Sequence, residues 1–98
     1  MSEVVYILEN IIAKVIFYGW IAKKTGQKEI EVSISPSTSI NQLFNFLSTL
    51  PELEENIDYS YMIRNNIILI MINNSDYKEG RILQTGDIVR LLPFISGG

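Results

Sequence analysis

The chain closes with Phe94-Ile95-Ser96-Gly97-Gly98, and these residues offer its clearest opening for chemistry. Two successive glycines lack Cβ atoms, so they can thread a channel too narrow for other residues and take whatever backbone angles a host site imposes. Fully extended, the five residues reach roughly 16–18 Å from the body of a domain and set a terminal carboxylate at the tip. The α-carboxylate of Gly98, with Gly97 beside it, is therefore a deliverable functional group. A carboxylate is a poor electrophile, and its use as an acyl or sulfur donor requires activation, most simply adenylation with ATP. The glycines at 19, 26, 80, 86, 97 and 98 fit neither a phosphate-binding loop nor a dinucleotide fingerprint. An external activating enzyme is implied, and the ATP belongs to that partner; no bound cofactor is expected here.

Composition removes most other chemistry. There are no cysteines and no histidines. Thiolate nucleophiles, imidazole bases, Ser-His-Asp arrangements, disulfides and the usual zinc sites are all excluded, and no metal site is expected. Eight Lys and Arg are scattered among eleven Asp and Glu, for a net charge of −3, which argues against a nucleic-acid partner. Residues 1–12 are apolar but carry Glu3 and Glu9 and lack a basic leading region, so they do not read as a signal peptide. No run approaches the length of a membrane span. The expectation is a soluble, cytoplasmic protein with no membrane partner.

The elements that would hold the tail follow from hydrophobic periodicity. A chain of 98 residues, 47% apolar, supports a single core. Residues 1–12 form an N-terminal extension whose Val4, Val5, Leu8, Ile11 and Ile12 suit a short helix. Residues 13–93 form the domain, and residues 94–98 a flexible tail. Lys14 to Tyr18 is apolar on both faces, the pattern of a central strand covered on each side, and ends near Gly19. Beyond the turn chemistry of Thr25-Gly26, residues 28–34 alternate, with Ile30, Val32 and Ile34 on one face, and pair back as a hairpin. Ser39-Ile40-Asn41-Gln42 fits a capping box. Ile40, Leu43, Phe44, Leu47 and Leu50 then lay one helical stripe against the sheet until Pro51. Glu52, Glu54, Glu55 and Asp58 read as a solvated acidic stretch, or as one that steers a basic partner; residues 55–66 carry no clear pattern.

Ile67 to Ile72 reads as a second strand buried on both faces, closed by Asn73-Asn74-Ser75-Asp76 and returning through Tyr77. Thr85-Gly86-Asp87 makes a further turn, and Ile88 to Leu92 a last strand that Pro93 ends. The order is β-β-α-β-β. Pairing 14–18 with 88–92 in parallel, with the intervening chain as crossover, gives an α+β fold of the β-grasp (ubiquitin-like) type: a mixed sheet of four to five strands with one main helix across it. Tyr18, Trp20 and Leu92 fit either the core or a partner surface.

The stretches AKVIFYGWIAKKTGQKEIEV, ILIMINNSDY and ILQTGDIVRLLPFISGG resemble the MoaD/ThiS family of ubiquitin-like sulfur carriers over about residues 13–98, and most closely the small subunit of molybdopterin synthase. The most specific piece is Gly86-Asp87, the apolar strand, Leu92-Pro93 and the terminal Gly97-Gly98. Many members have two prolines where this chain has Pro93-Phe94. The resemblance implies that Gly98 is adenylated by an E1-like adenylyltransferase and converted to a thiocarboxylate. The tail then enters the large subunit of molybdopterin synthase and gives sulfur to the pterin precursor, with the catalytic residues on the partners. By the same resemblance Tyr18, Leu92, Pro93, Phe94, Ile95 and Ser96 contact those partners. A carrier for thiamine or tRNA sulfur, and a protein modifier joined to lysines through Gly98, share the same tail chemistry.

Overall fold

A computed structural model describes residues 10–54, 57–76 and 80–94. The first strand, β1, runs Ile11–Phe17, three residues earlier than Lys14. Ile11 and Ile12, which periodicity grouped with a helical extension, pair instead with Ile34 and Ser33 of the second strand; Val4, Val5 and Leu8 lie outside the described residues. Tyr18 is not part of β1 but the N-cap of a helix that the sequence reading lacked, α1, Gly19–Thr25. Three local features make it helical. Gly19 enters at φ +56°; Ile21 is fully buried; and the Thr25 hydroxyl donates back to the Ile21 carbonyl at 2.9 Å before Gly26 closes the turn in the left-handed region. The strand β2, Glu29–Ile34, then pairs antiparallel with β1 as expected, although a helix and not a tight turn makes the connection.

The capping box forms as its sequence dictates. The Gln42 N–H donates to Ser39 Oγ at 3.2 Å, while Gln42 Oε1 accepts from the Ser39 N–H at 2.8 Å. The helix it opens, α2, spans Ile40–Leu47 and buries Ile40, Leu43, Phe44 and Leu47. It stops short of Leu50, which packs at the core's margin. The acidic stretch is less uniformly solvated than its charges suggest: Leu53 and Ile57 are buried within it. Asp58 is an N-cap whose carboxylate accepts from the Tyr61 N–H at 3.1 Å, opening α3, Tyr59–Arg64. Glu55 lies outside the described residues.

The remaining strands are β3, Ile68–Ile72, β4, Ser75–Asp76, and β5, Ile88–Pro93. Asn73 takes φ +59° in the turn between β3 and β4, a conformation Asn tolerates; Tyr77 falls outside the described residues. The sheet order is β2-β1-β5-β3-β4. β5 runs parallel to β1, with Val15 opposite Val89 and Phe17 opposite Leu91, and antiparallel to β3, with Leu69 opposite Leu92. This is the mixed sheet of a β-grasp fold.

The core occupies one face of the sheet only. Ala13, Val15, Phe17, Val32, Ile34, Ile68, Ile70, Ile72, Val89 and Leu91 face it together with Ile21, the α2 stripe, Leu53, Tyr59 and Leu83. The other face is open. Leu69 is 44% exposed, and along β1 Ile12 is 51% exposed while the outward Lys14 and Ile16 are half-buried, which corrects the expectation that the strands at 14–18 and 67–72 are covered on both sides. An apolar run on both faces matches an internal strand by composition, but among the described residues no second layer of helices covers its outer positions.

Candidate functional site at the root of the C-terminal tail

The geometry around Pro93 fixes where the tail leaves the domain. Inner position in the sheet gives β5 hydrogen-bonding neighbours on both sides up to its last residues. The Tyr18 N–H donates to the Leu91 carbonyl at 3.1 Å on one side, and the Phe94 N–H donates to the Ile67 carbonyl at 2.9 Å on the other. Pro93 has no N–H to offer, and the ring sets φ for the exit. Gly19 packs directly against that ring: a Cβ built on Gly19 would stand 2.8 Å from Pro93 Cγ, closer than packed atoms approach. The positive φ of Gly19 therefore serves twice, opening α1 and admitting Pro93.

Around this exit the open sheet face is apolar. Register places Leu92 beside Leu69, and Phe94 continues the same face beside Ile67. Ile67 is 40% and Phe94 45% exposed, while Leu92 and Tyr18 are half-buried. Arg90, opposite Ile16 and Met71, lies across the face. Its Nε donates to Tyr18 Oη at 3.2 Å, and its Nη1 donates to the Asn73 carbonyl, tying the cap of α1, β5 and the β3–β4 turn together.

Of the residues singled out from sequence, Tyr18, Leu92, Pro93 and Phe94 are brought together here; Ile95, Ser96, Gly97 and Gly98 lie outside the described residues. Trp20 packs at the margin of the core. Sequence reasoning missed Gly19, Ile67, Leu69 and Arg90. Gly19 carried a usable signal, a glycine directly after a strand, whereas Ile67 and Leu69 were hidden by the reading of their strand as doubly buried.

The other polar cluster in the fold is a different kind of object. Asp87, 6% exposed, accepts from Arg81 Nη1 at 2.7 Å, from the Gln84 N–H at 2.8 Å and from Asn73 Nδ2 at 3.2 Å. Burial by itself would raise the carboxyl's pKa. The hydrogen bonds from Arg81, Gln84 and Asn73, together with the Arg81 charge, outweigh it and hold the pKa below the ordinary carboxylate value. With every acceptor position engaged by its own chain, this carboxylate closes the loop that leads into β5. Among the described residues no group of three or more acidic, His or Cys side chains could hold a metal ion, and no helix is long and apolar enough to cross a membrane. An exposed apolar patch of this kind, beside the last described residues of the chain, is a surface suited to docking a partner.

The ThiS family profile matches residues 15–98. No curated protein matches the chain. Solved structures share the fold at low identity. SAMP1 from Haloferax volcanii is 18% identical with a TM-score of 0.65, covering 89% of this chain and 99% of its own. A putative molybdopterin converting factor, subunit 1, from Pyrococcus furiosus is 14% identical with a TM-score of 0.65, covering 87% and 99%. The complex of subunits 1 and 2 of the molybdopterin-converting factor from Helicobacter pylori contains a chain 19% identical with a TM-score of 0.58, covering 90% and 100%.

Proposed function

Because the chain belongs to the ThiS family, we propose that it is a sulfur carrier acting through the carboxylate of Gly98, and that it donates sulfur in molybdopterin synthesis. It has the ubiquitin-like fold of ThiS/MoaD-type sulfur carriers. One observation carries the reading: the family match runs through Gly97 and Gly98 at its far end, and the last described residues before them, Pro93 and Phe94, lie beside an exposed apolar patch. In this scheme the body begins with β1 at Ile11, two residues earlier than the sequence boundary at 13, and ends at Pro93; residues 94–98 are the arm and the residues before β1 an accessory extension.

The chemistry needs two activations from outside. An E1-like adenylyltransferase joins the Gly98 carboxylate to AMP from ATP, releasing pyrophosphate. A sulfur nucleophile then displaces AMP and leaves a thiocarboxylate. The thiocarboxylate sulfur attacks a pterin precursor in a large partner subunit, and water then cleaves the acyl–sulfur bond, leaving the sulfur on the precursor and regenerating the carboxylate, so the chain is a stoichiometric donor and not an enzyme. Ile95, Ser96 and Gly97 line the partner's channel. Tyr18, Leu92, Pro93 and Phe94 rest on its rim, where the open face around Leu69 and Ile67 supplies apolar area. The H. pylori structure, a complex of subunits 1 and 2, supports a large-subunit partner by analogy.

Intact-mass measurement on protein isolated from its native cells tests this. The expected result is a fraction whose mass exceeds the sequence mass by the exchange of one oxygen for sulfur, lost when Gly98 is deleted. SAMP1 is named a small archaeal modifier protein and resembles this chain as well in fold as the P. furiosus factor does, so conjugation to lysines is the second reading. Gly98-dependent ladders of conjugates with no sulfur-bearing form would replace the first reading with the second.

A further inference from the structure

The edge of the sheet farthest from β3 and β4 carries a second, separate feature. β2 is the terminal strand, so one of its sides has no neighbour among the described residues. Which backbone groups face outward follows from its ladder to β1. The Phe17 N–H donates to the Lys28 carbonyl at 2.8 Å, which makes 17 and 28 a hydrogen-bonded pair. Antiparallel alternation then directs the N–H and C=O groups of Ile30, Val32 and Ile34 toward β1 and those of Glu29, Glu31 and Ser33 outward. Beside this edge, between β2 and α2, runs a groove of about 470 Å³ floored by Ile30, Val32, Phe46 and Leu50. A second hollow continues it past Ser33 and Phe46 toward Pro36 and Gln42. The charged residues that line the groove, Glu31 and Glu52, are both acidic and exposed.

We propose that the β2 edge and this groove bind an extended segment of a partner protein, one whose apolar residues alternate with lysine or arginine. Each component of the site selects one property of that segment. The outward backbone groups of Glu29, Glu31 and Ser33 require a strand, since only extended backbone meets them in register. Phe46, Leu50 and Ile30 accept apolar side chains on alternate positions, those that face the groove. The Glu31 and Glu52 carboxylates favour cationic residues and disfavour acidic ones. A long, flat strand edge left open is a liability for self-association, and flanking like charges such as Glu29 and Glu31 blunt pairing with another copy of the same edge while leaving a basic strand free to add. The surface lies two strands from β5 across β1, so it can be occupied while the tail is engaged, and its existence does not depend on the sulfur-carrier reading.

The test uses the full chain, isotope-labelled, titrated with a terminally blocked heptapeptide of alternating valine and lysine, and with its counterpart carrying glutamate in place of lysine. The lysine peptide is expected to shift the amide resonances of Glu29, Glu31, Ser33 and Phe46 and to slow hydrogen exchange at the Glu31 and Ser33 amides, while the glutamate peptide leaves them unmoved. The double variant Glu31→Lys/Glu52→Lys should weaken binding roughly three- to tenfold, as expected from the loss of two exposed ion pairs. Ser33→Pro removes an outward N–H without touching the ladder to β1, and should abolish the protection at that edge. Because both exchanged glutamates are exposed, the charge-reversed protein remains informative even if Ser33→Pro does not fold. Equal binding of the two peptides, shifts confined to the face around Leu69 and Leu92, or a concentration-dependent dimer in place of a peptide complex would each overturn the proposal.

Discussion

Replacing Asp87 by alanine tests whether the Gly-Asp turn is architecture or site. In the native fold the carboxylate neutralises Arg81 and accepts the Gln84 N–H and Asn73 Nδ2. Removing it leaves those donors facing one another around a void. Breaking a fully buried ion pair costs about 3–5 kcal/mol. The Arg81 side chain is 31% exposed and can regain part of its hydration, which brings the expectation down to about 2–4 kcal/mol, against a total stability of about 5–15 kcal/mol for a domain of this size. The melting temperature should fall by roughly 10–30 °C. Asp87→Asn keeps an acceptor for the Gln84 N–H while losing the charge, and should cost about half as much.

The pH dependence supplies a sharper readout. Because the folded carboxyl titrates below its unfolded value, the folded state binds fewer protons near that range, and the stability it confers is fully present above the unfolded value of about 4. It is lost as pH falls through the depressed folded value. Urea unfolding followed by circular dichroism at pH 7 and at pH 3 should therefore show a greater acid-induced loss in the native protein than in Asp87→Asn. Thiocarboxylate formation at a temperature where the variant is folded should be unaffected, since the cluster lies at the opposite end of β5 from the tail. Variant stability within about 0.5 kcal/mol of native, or the same acid slope in both proteins, would refute the reasoning; loss of thiocarboxylation in a folded variant would make the turn part of the site.

Gly19→Ala forces a side chain into φ +56° and against Pro93; a cost of about 1–3 kcal/mol and amide shifts at Phe94 and Ile67 are expected by NMR, with slower sulfur transfer, and an unperturbed Phe94 amide would show that the contact does not set the exit. Tyr59 has a buried hydroxyl with no hydrogen-bond partner and a pKa pushed up to about 12 by burial. Its proton is thus held more tightly folded than unfolded, so this contribution to stability is intact below about pH 10 and lost as pH rises. Spectrophotometric titration should show a late phase that Tyr59→Phe removes, and that variant should be neutral to stabilising by up to about 1 kcal/mol. Leu92→Asp, at a half-buried position on the open face, should weaken capture by the large subunit at least tenfold while Gly98 is still adenylated in excess activating enzyme, measured by pull-down and by intact mass.

Parts of the fold that rest on one-dimensional pattern were legible. The Ser39–Gln42 capping box, the α2 stripe from Ile40 to Leu47 and the alternation of β2 depend on residues within a few positions of each other, and these formed, although the helix ends before Leu50. Even the β1–β5 pairing could be inferred, since two strongly apolar strands at opposite ends of the sequence satisfy each other best at the sheet centre. What failed depended on partners distant in sequence or on a backbone state. α1 exists because Gly19 supplies φ +56° and Ile21 finds the core. α3 exists because Asp58 caps it and Tyr59 stacks on Phe44, with ring centroids 5.5 Å apart. Neither segment is long enough for helical periodicity to declare itself.

The misreading of β3 carries the most functional information. A strand apolar on both faces predicts two covering layers, and the described residues supply only one, so Leu69 and its neighbours Ile67, Leu92 and Phe94 retain exposed apolar surface. Covering it requires something outside the described residues. The same four residues lie together at the end of the described chain, whose last position is Phe94. On the proposed carrier role, an arm that enters another protein's channel needs its root held against that protein's surface, and what the sequence registered as hydrophobic burial is then the area offered to that partner.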